Sequence, residues 1–145
     1  MNNKLLQSIK DLALDQKFAV GNDLVFLPDF TASFNDLFKK KIYTQEEIAY
    51  CDQFDDAMLR YASTWAAKEA VYKAIKQIDP ATFPFKKIEI LREKPQGRPH
   101  VVLHKNPNRF TISLTISHDG DYIWALAFIE INPNTNWPTT TLKTT

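Results

Sequence analysis

The sequence predicts an α+β domain in which an antiparallel sheet packs against one long helix. Residues 56–78 are rich in alanine and contain neither glycine nor proline, which is typical of a helix that continues until Pro80 ends it. Strand-like segments separated by turn residues follow this helix. Helices followed by a run of strands indicate an α+β arrangement.

The N-terminal half predicts mainly helices. Residues 3–16 have an amphipathic helical pattern, and residues 18–27 form an apolar strand that a Gly-Asn-Asp triplet interrupts. We expect a short helix over residues 32–40. Thr44 and Glu47 then have the spacing of a capping box, so another helix begins there.

The C-terminal half predicts four strands, over residues 86–92, 99–104, 110–117 and 122–131. Asp119-Gly120 is a strong hairpin signal between the last two strands. The chain of 145 residues has no internal repeat, so it forms one domain. We expect a helical extension over residues 1–17, the domain over 18–131 and a flexible threonine-rich tail over 132–145.

Composition excludes several classes of protein. A net charge of +1 gives no protein-wide field that would attract a membrane or nucleic acid. The single cysteine, Cys51, forms no internal disulfide, and charged residues interrupt the first helix as they would not in a signal peptide. We therefore expect a cytoplasmic protein without a membrane partner.

Charge is concentrated locally between residues 84 and 109, where seven basic residues stand against two acids. This stretch either binds phosphate or an acidic partner, or is a solvated face of strands and turns. Phe85 is its only aromatic residue, which disfavours single-stranded nucleic acid as a ligand. We expect no nucleic-acid partner.

The long helix has two distinct faces at 100° per residue. One sector is apolar and is the expected core stripe, formed by Ala67, Val71, Ala74, Ile75 and Ile78. The other sector mixes aromatic and charged residues: Trp65, Glu69, Tyr72, Lys73 and Lys76. Glu69 and Lys73 are either a surface ion pair at i,i+4 spacing or part of a site.

Asp23 lies within an apolar strand, where a carboxylate is costly unless it is paired or binds a cation. A turn or bulge at Gly21-Asn22 would explain it without function. The alternative is a magnesium ligand, because Mg²⁺ is typically held by one or two carboxylates together with phosphate oxygens and water. His118, at the end of a strand, is either structural or part of a site, whereas His100 and His104 have no partner at ligand spacing.

Three sequence segments carry the candidate site residues: Gly21-Asn22-Asp23, the helix motif Trp65-Ala66-Ala67-Lys68-Glu69-Ala70-Val71-Tyr72-Lys73, and Thr115-Ile116-Ser117-His118. Together they resemble the 4′-phosphopantetheinyl transferases of the short holo-acyl-carrier-protein synthase type. The helix motif matches the family pattern of Trp or Phe, two residues, Lys-Glu-Ala, two residues and Lys at every specified position. The likeness covers roughly residues 18–131.

This resemblance implies that Asp23 and Glu69 bind Mg²⁺, and that Lys68, Lys73 and His118 contact coenzyme A. A serine of an apo-acyl carrier protein would attack the β-phosphate of coenzyme A and release 3′,5′-ADP, in the service of fatty acid biosynthesis. Lys73 would stabilise the leaving oxygen. Glu69, or a water that it positions, would take the serine proton. A non-catalytic coenzyme A or carrier-binding module of the same fold is the alternative.

The family's short members form trimers, so the resemblance also implies a homo-oligomer, with the site between subunits. Three positions depart from the family pattern: Asp29 and Thr64 stand where basic residues are common, and Lys76 stands where glycine is common. Asp29 predicts either a carrier whose recognition helix is less acidic or docking through residues 84–109.

Overall fold

The computed structural model describes residues 3–14, 17–93 and 97–133. Its helices are α1 (Asn3–Leu14), α2 (Leu27–Ser33), α3 (Asp36–Ile42), α4 (Gln45–Cys51) and α5 (Ala57–Ile78), with a 3-10 turn at Phe85–Lys87. Its strands are β1 (Phe18–Phe26), β2 (Ile88–Leu91), β3 (His100–Leu103), β4 (Phe110–Asp119) and β5 (Tyr122–Ile131). Across these residues, none of the helices combines the length and the apolar character needed to span a bilayer.

The strands form two antiparallel sheets, a three-stranded sheet in the order β1-β5-β4 and a two-stranded sheet of β2 and β3. Helix α5 packs across the three-stranded sheet, whose inner face is buried at alternate positions of β1. The predicted α+β fold is therefore confirmed. The β4–β5 hairpin turns at Gly120, which has a φ of 56° that favours glycine.

Strand β1 is continuous, which excludes the turn or bulge considered at Gly21-Asn22. Its register with β5 runs unbroken from Phe18 opposite Glu130 to Phe26 opposite Tyr122. Gly21 is required for another reason: a Cβ atom there would lie 1.9 Å from the Ala70 carbonyl oxygen and 2.7 Å from the Ala74 amide nitrogen. The strand and the helix backbones therefore touch at this point.

The predicted short helix over residues 32–40 is wrong, because the segment forms two helices. Helix α2 begins at Leu27 with Pro28 in its first turn, where proline is tolerated. The chain is extended at Phe34 and Asn35, and the Asn35 side chain accepts a hydrogen bond from the Phe38 amide to begin α3. The capping box of Thr44 and Glu47 is confirmed at the start of α4.

Helix α5 is enclosed on more than its predicted core stripe. Four stripe residues are buried and Ile78 is half-buried, as expected for the face that packs on the sheet. Burial extends to the small residues Ala62, Ala66 and Ala70, and even to Lys68. Because these alanine side chains are small, neighbouring elements pack close to the backbone of α5 on several sides.

The face of the three-stranded sheet turned away from α5, hereafter the outer face, exposes an apolar surface. Leu24 is 62% exposed and Trp124, directly opposite it on β5, is 48% exposed. The other large apolar side chains of this face are Phe18, Val20, Phe26, Tyr122 and Phe128. An apolar surface of this extent is typical of an interaction site.

Gly21→Ala should strongly destabilise the fold, because the new methyl group meets backbone atoms of α5 that cannot rotate away. Overpacking of a core commonly costs about 1–3 kcal/mol, and we expect the upper end of that range or more. Urea unfolding measures the loss. Gly120→Ala is the control: its Cβ meets nothing within 4 Å, so only the left-handed backbone costs about 1 kcal/mol. Equal losses in the two variants would contradict the close approach.

Candidate active site

Three of the predicted site residues meet where β1 crosses α5. Asp23 lies two residues beyond Gly21 on the buried face of β1 and is 8% exposed. Lys73 of α5 donates a hydrogen bond from Nζ to Asp23 Oδ1 at 2.8 Å and another to the Asn22 carbonyl oxygen at 3.2 Å. The strand–helix contact at Gly21 therefore brings an acid and a base together.

Glu69, one helical turn before Lys73, completes this group. Burial, a hydrogen bond to Asp23 and the charge of Asp23 together raise the pKa of Glu69 to about 7, while Lys73 opposes the shift. Asp23 in turn raises the pKa of Lys73 through their hydrogen bond, so the lysine keeps its charge. Two carboxylates thus converge beside one ammonium group.

The donor set fits Mg²⁺. Asp23 and Glu69 present carboxylate oxygens, the ligands that this hard cation prefers. Among the described residues, no cluster of three or more His, Cys, Asp or Glu side chains could enclose a metal ion. A cation held by two carboxylates keeps positions for phosphate oxygens and water, which is how Mg²⁺ is commonly bound beside a phosphorylated substrate.

A cavity of about 380 Å³ opens beside these carboxylates. Its polar lining includes Asp23 and Glu69 at one end and Asp29 and Ser33 from α2; its remaining walls are Leu24, Val25, Phe26, Phe30 and Trp65. The volume accommodates part of a small ligand such as a diphosphate with its flanking groups. Asp29 therefore lies at the cavity, where it adds a further negative charge.

Aromatic side chains support the Trp65 wall of this cavity. The Trp65 ring lies 4.9 Å from that of Phe85 and 5.2 Å from that of Phe38, measured between centroids. Phe85 also contacts Tyr72, at 4.7 Å. Edge and tilted contacts of this kind fix ring orientation as well as bury area. The mixed face of α5 is therefore half-buried by aromatic residues, not simply solvated.

The expectation that Lys68 contacts coenzyme A is wrong for this structure. Its side chain is 0% exposed, and Nζ donates to Glu47 Oε1 at 2.7 Å, to the Ile88 carbonyl oxygen at 2.6 Å and to the Phe85 carbonyl oxygen at 3.0 Å. An ammonium group has three donors, and all three are used inside the protein. Lys68 points away from the carboxylates that Glu69 and Asp23 present.

His118 is not brought to the carboxylates within one chain. It is exposed near the end of β4, opposite Ile123 of β5, which itself pairs with Val25. Two strand spacings, roughly 10 Å, therefore separate it from β1. Its contact with coenzyme A stays a prediction.

Two of the residues at positions that depart from the family pattern have structural partners. Thr64 is buried and donates its hydroxyl to the Arg60 carbonyl oxygen, and Lys76 bonds the carbonyl oxygens of Pro80 and Ala81 after the end of α5. The sequence did not reveal the second role of Glu47, whose Oε2 accepts the Ile90 amide hydrogen at 2.9 Å. It also did not reveal Gln77, which donates to the Val20 carbonyl oxygen at 2.6 Å.

Comparison with known proteins identifies the family of this chain. The sequence model of the 4′-phosphopantetheinyl transferase superfamily matches residues 19–127, so the chain belongs to that superfamily. Within it, the chain is 33% identical over 120 residues to the holo-[acyl-carrier-protein] synthase of Aquifex aeolicus, covering 77% of this chain and 97% of that protein. The predicted family, of the short holo-acyl-carrier-protein synthase type, is confirmed.

The chain is also similar to part of a much longer protein and to a solved structure. Fatty acid synthase alpha subunit hexA of Dothistroma septosporum is 38% identical over 116 residues, which are 74% of this chain but correspond to only 7% of that protein. The solved ACPS–CoA complex of Chronobacterium ammoniagenes superposes with a TM-score of 0.68 at 28% identity, covering 81% of this chain and 99% of that one.

Magnesium binding should depend on pH with a midpoint near 7. Because the pKa of Glu69 is raised to about 7, the folded, metal-free chain holds a proton on Glu69 below about pH 7. The stability that this proton contributes to the folded chain declines as pH rises from 4.5 towards 7. Mg²⁺ must displace that proton. The apparent dissociation constant of Mg²⁺ should therefore rise about tenfold for each pH unit below 7 and be constant above pH 7. Titration of Mg²⁺ against thermal stability measures this.

A second titration uses the variant Lys73→Met. Because Lys73 lowers the pKa of Glu69, its removal should move the midpoint to higher pH. Magnesium stabilisation that is the same at pH 5 and pH 8 would contradict the assignment of Glu69 as a ligand.

Proposed function

We propose that this chain transfers the 4′-phosphopantetheine group from coenzyme A to a serine of an apo-acyl carrier protein and releases 3′,5′-ADP. The observation that carries the proposal is the convergence of Asp23, Glu69 and Lys73 at one cavity. Two carboxylates for a cation and one ammonium for a leaving group are the parts that phosphoryl transfer requires. The Aquifex aeolicus relative, matched over nearly its whole length, supports the same activity.

Each side chain has a separate task in this mechanism. Asp23 and Glu69 hold Mg²⁺, which when bound neutralises pyrophosphate charge and makes the β-phosphorus more electrophilic. The serine oxygen bonds to that phosphorus as the bond to the bridging oxygen breaks. Glu69 orients a water that accepts the serine proton, because a carboxylate engaged with a cation is a weak base by itself. Lys73 stabilises negative charge on the bridging oxygen as it leaves with 3′,5′-ADP.

The test is incubation with coenzyme A, Mg²⁺ and purified apo-carriers, followed by mass spectrometry of the carrier. We expect the added mass of one phosphopantetheinyl group.

Lys73→Ala should lower kcat by roughly 10² to 10³, the scale seen when one preorganised charge stabiliser is removed. Asp23→Asn and Glu69→Gln should lose turnover while the chain stays folded. Coenzyme A binding without mass transfer to any carrier would favour the non-catalytic binding module.

We also propose that the chain assembles as a trimer through the outer face of its sheet. The exposed apolar residues of β1 and β5 form one continuous surface, and Leu24 is opposite Trp124 in the middle of it. Burying that surface between copies of the chain would remove it from water at a gain of about 25 cal/mol per Å². A site that lies between subunits is consistent with the position of His118, remote from Asp23 within one chain.

Trp124→Lys should convert this assembly to monomers, because a charge buried in an apolar interface is costly. Sedimentation or light scattering gives the mass. Leu37→Lys is the matched control: Leu37 is 76% exposed on α3, outside the outer face, and its replacement should leave the mass unchanged. A monomeric wild type at micromolar concentration would refute the assembly.

Asp29 should shape the choice of carrier. It is an exposed carboxylate at the cavity that also holds Asp23 and Glu69, so an acidic carrier helix approaching there meets like charge. Asp29→Arg should therefore raise kcat/KM for a strongly acidic carrier, and the gain should shrink as salt rises. Asp29→Asn should give an intermediate effect. An unchanged kcat/KM at low salt would mean that the carrier docks elsewhere, with residues 84–109 as the next surface to test.

A further inference from the structure

Two opposite charges are completely buried beside the candidate active site. Lys68 and Glu47 are each 0% exposed at the side chain, and their charged atoms lie 2.7 Å apart. Burial raises the pKa of Glu47 and lowers the pKa of Lys68, while the ion pair and its hydrogen bonds oppose both shifts. A buried ion pair with every hydrogen bond satisfied is weak evidence for stability, and such pairs are retained in some proteins because they specify one arrangement.

The pair joins three segments that are distant in sequence. Glu47 Oε1 accepts the Thr44 amide hydrogen at the start of α4, and Oε2 accepts the Ile90 amide hydrogen of β2. Lys68, on α5, bonds the carbonyl oxygens of Phe85 and Ile88. One carboxylate and one ammonium therefore set how α4, α5 and the segment that begins β2 lie relative to one another.

Phe85 links this network to the cavity. Its carbonyl oxygen is held by Lys68, while its ring lies against Tyr72 and against Trp65, which lines the cavity together with Glu69. Lys68 and Glu69 are adjacent on α5, so their side chains leave the helix about 100° apart. The main chain of Phe85 is thus held by Lys68, while its ring supports Trp65.

We propose that Lys68, with Glu47, is a positioning residue that fixes Phe85 and, through its ring, the Trp65 wall of the active-site cavity. Its influence on transfer rests on the proposed function, whereas its influence on Trp65 does not. A structural readout at Trp65 therefore separates failure of this proposal from failure of the proposed activity.

The test uses a chain in which Trp65 is the only tryptophan. The sequence has three, so Trp124→Phe and Trp137→Phe isolate its fluorescence. In that background, the double variant Glu47→Gln/Lys68→Met removes both buried charges and keeps one acceptor oxygen, for one of the two amides that Glu47 served. We expect acrylamide quenching of Trp65 to rise about twofold as the wall loosens. In the otherwise native chain, kcat should fall on the order of 10-fold to 100-fold, the scale of an ångström-sized misplacement.

The matched control is Asp79→Asn/Arg109→Met. This second pair is also largely shielded, joins the end of α5 to the segment before β4 and has an N–O distance of 2.6 Å, but neither residue lines the cavity. Its removal should leave Trp65 quenching unchanged and kcat within about twofold of wild type at a temperature where both variants are folded.

Two results would overturn the proposal. One is a folded Glu47→Gln/Lys68→Met variant with wild-type quenching and wild-type kcat, which would leave the pair a stability element only. The other comes from Phe85→Leu, which leaves the ion pair intact and serves if the double variant does not fold. We expect Phe85→Leu to raise Trp65 quenching and lower kcat; unchanged values for both would show that Phe85 does not transmit the position of Lys68. Combining Phe85→Leu with the double variant should give less than the sum of the separate effects on ln kcat.

Discussion

The contact between β1 and α5 at Gly21 is the constraint on which the rest of the site depends. A side chain at this position would collide with the backbone at Ala70 and Ala74, so the strand and the helix approach to the limit that main-chain atoms allow. Asp23 then reaches the helix one inward-facing position later, where Glu69 and Lys73 occupy successive turns. The charges of Asp23, Glu69 and Lys73 are thus brought together by the absence of a side chain at position 21, and the alanines of α5 allow the same close approach.

The side of α5 that faces β1 and the side that faces β2 are packed in different ways. Towards β1, small residues let backbones touch and the polar groups of Glu69 and Lys73 remain accessible at the edge of the contact. Towards β2, Lys68 and Glu47 are sealed away from water and bind main-chain groups of three segments. Neighbouring residues of one motif, Lys68 and Glu69, therefore lie in different surroundings, one enclosed by main-chain groups and one lining the cavity.

The sequence predicted those features that local patterns determine. The boundaries of α5 and β5, the Thr44 capping box and the hairpin at Gly120 follow from periodicity, cap residues and turn chemistry. Glu69 and Lys73 were found because the specific helix motif contains them, and Asp23 because it interrupts an apolar strand within a Gly-Asn-Asp triplet. Lys68 was misassigned because the motif gives residue type but not direction, and only the packing of α4 and β2 around α5 shows that its amine is enclosed. The break at Phe34 and Asn35 was missed because Asn35 was not recognised as an N-cap, although its side chain accepts the Phe38 amide hydrogen at the start of α3.

Strand β1 is an edge strand of its sheet, and the unpaired carbonyl groups of an edge strand can pair with a further strand. Gln77 and Lys73 reach over that edge and occupy the carbonyl oxygens of Val20 and Asn22. A strand that added here would have to displace the same ammonium group that bonds Asp23. One side chain, Lys73, therefore both occupies the open edge of β1 and bonds Asp23, so protection from edge-to-edge pairing and the geometry of the site depend on the same residue.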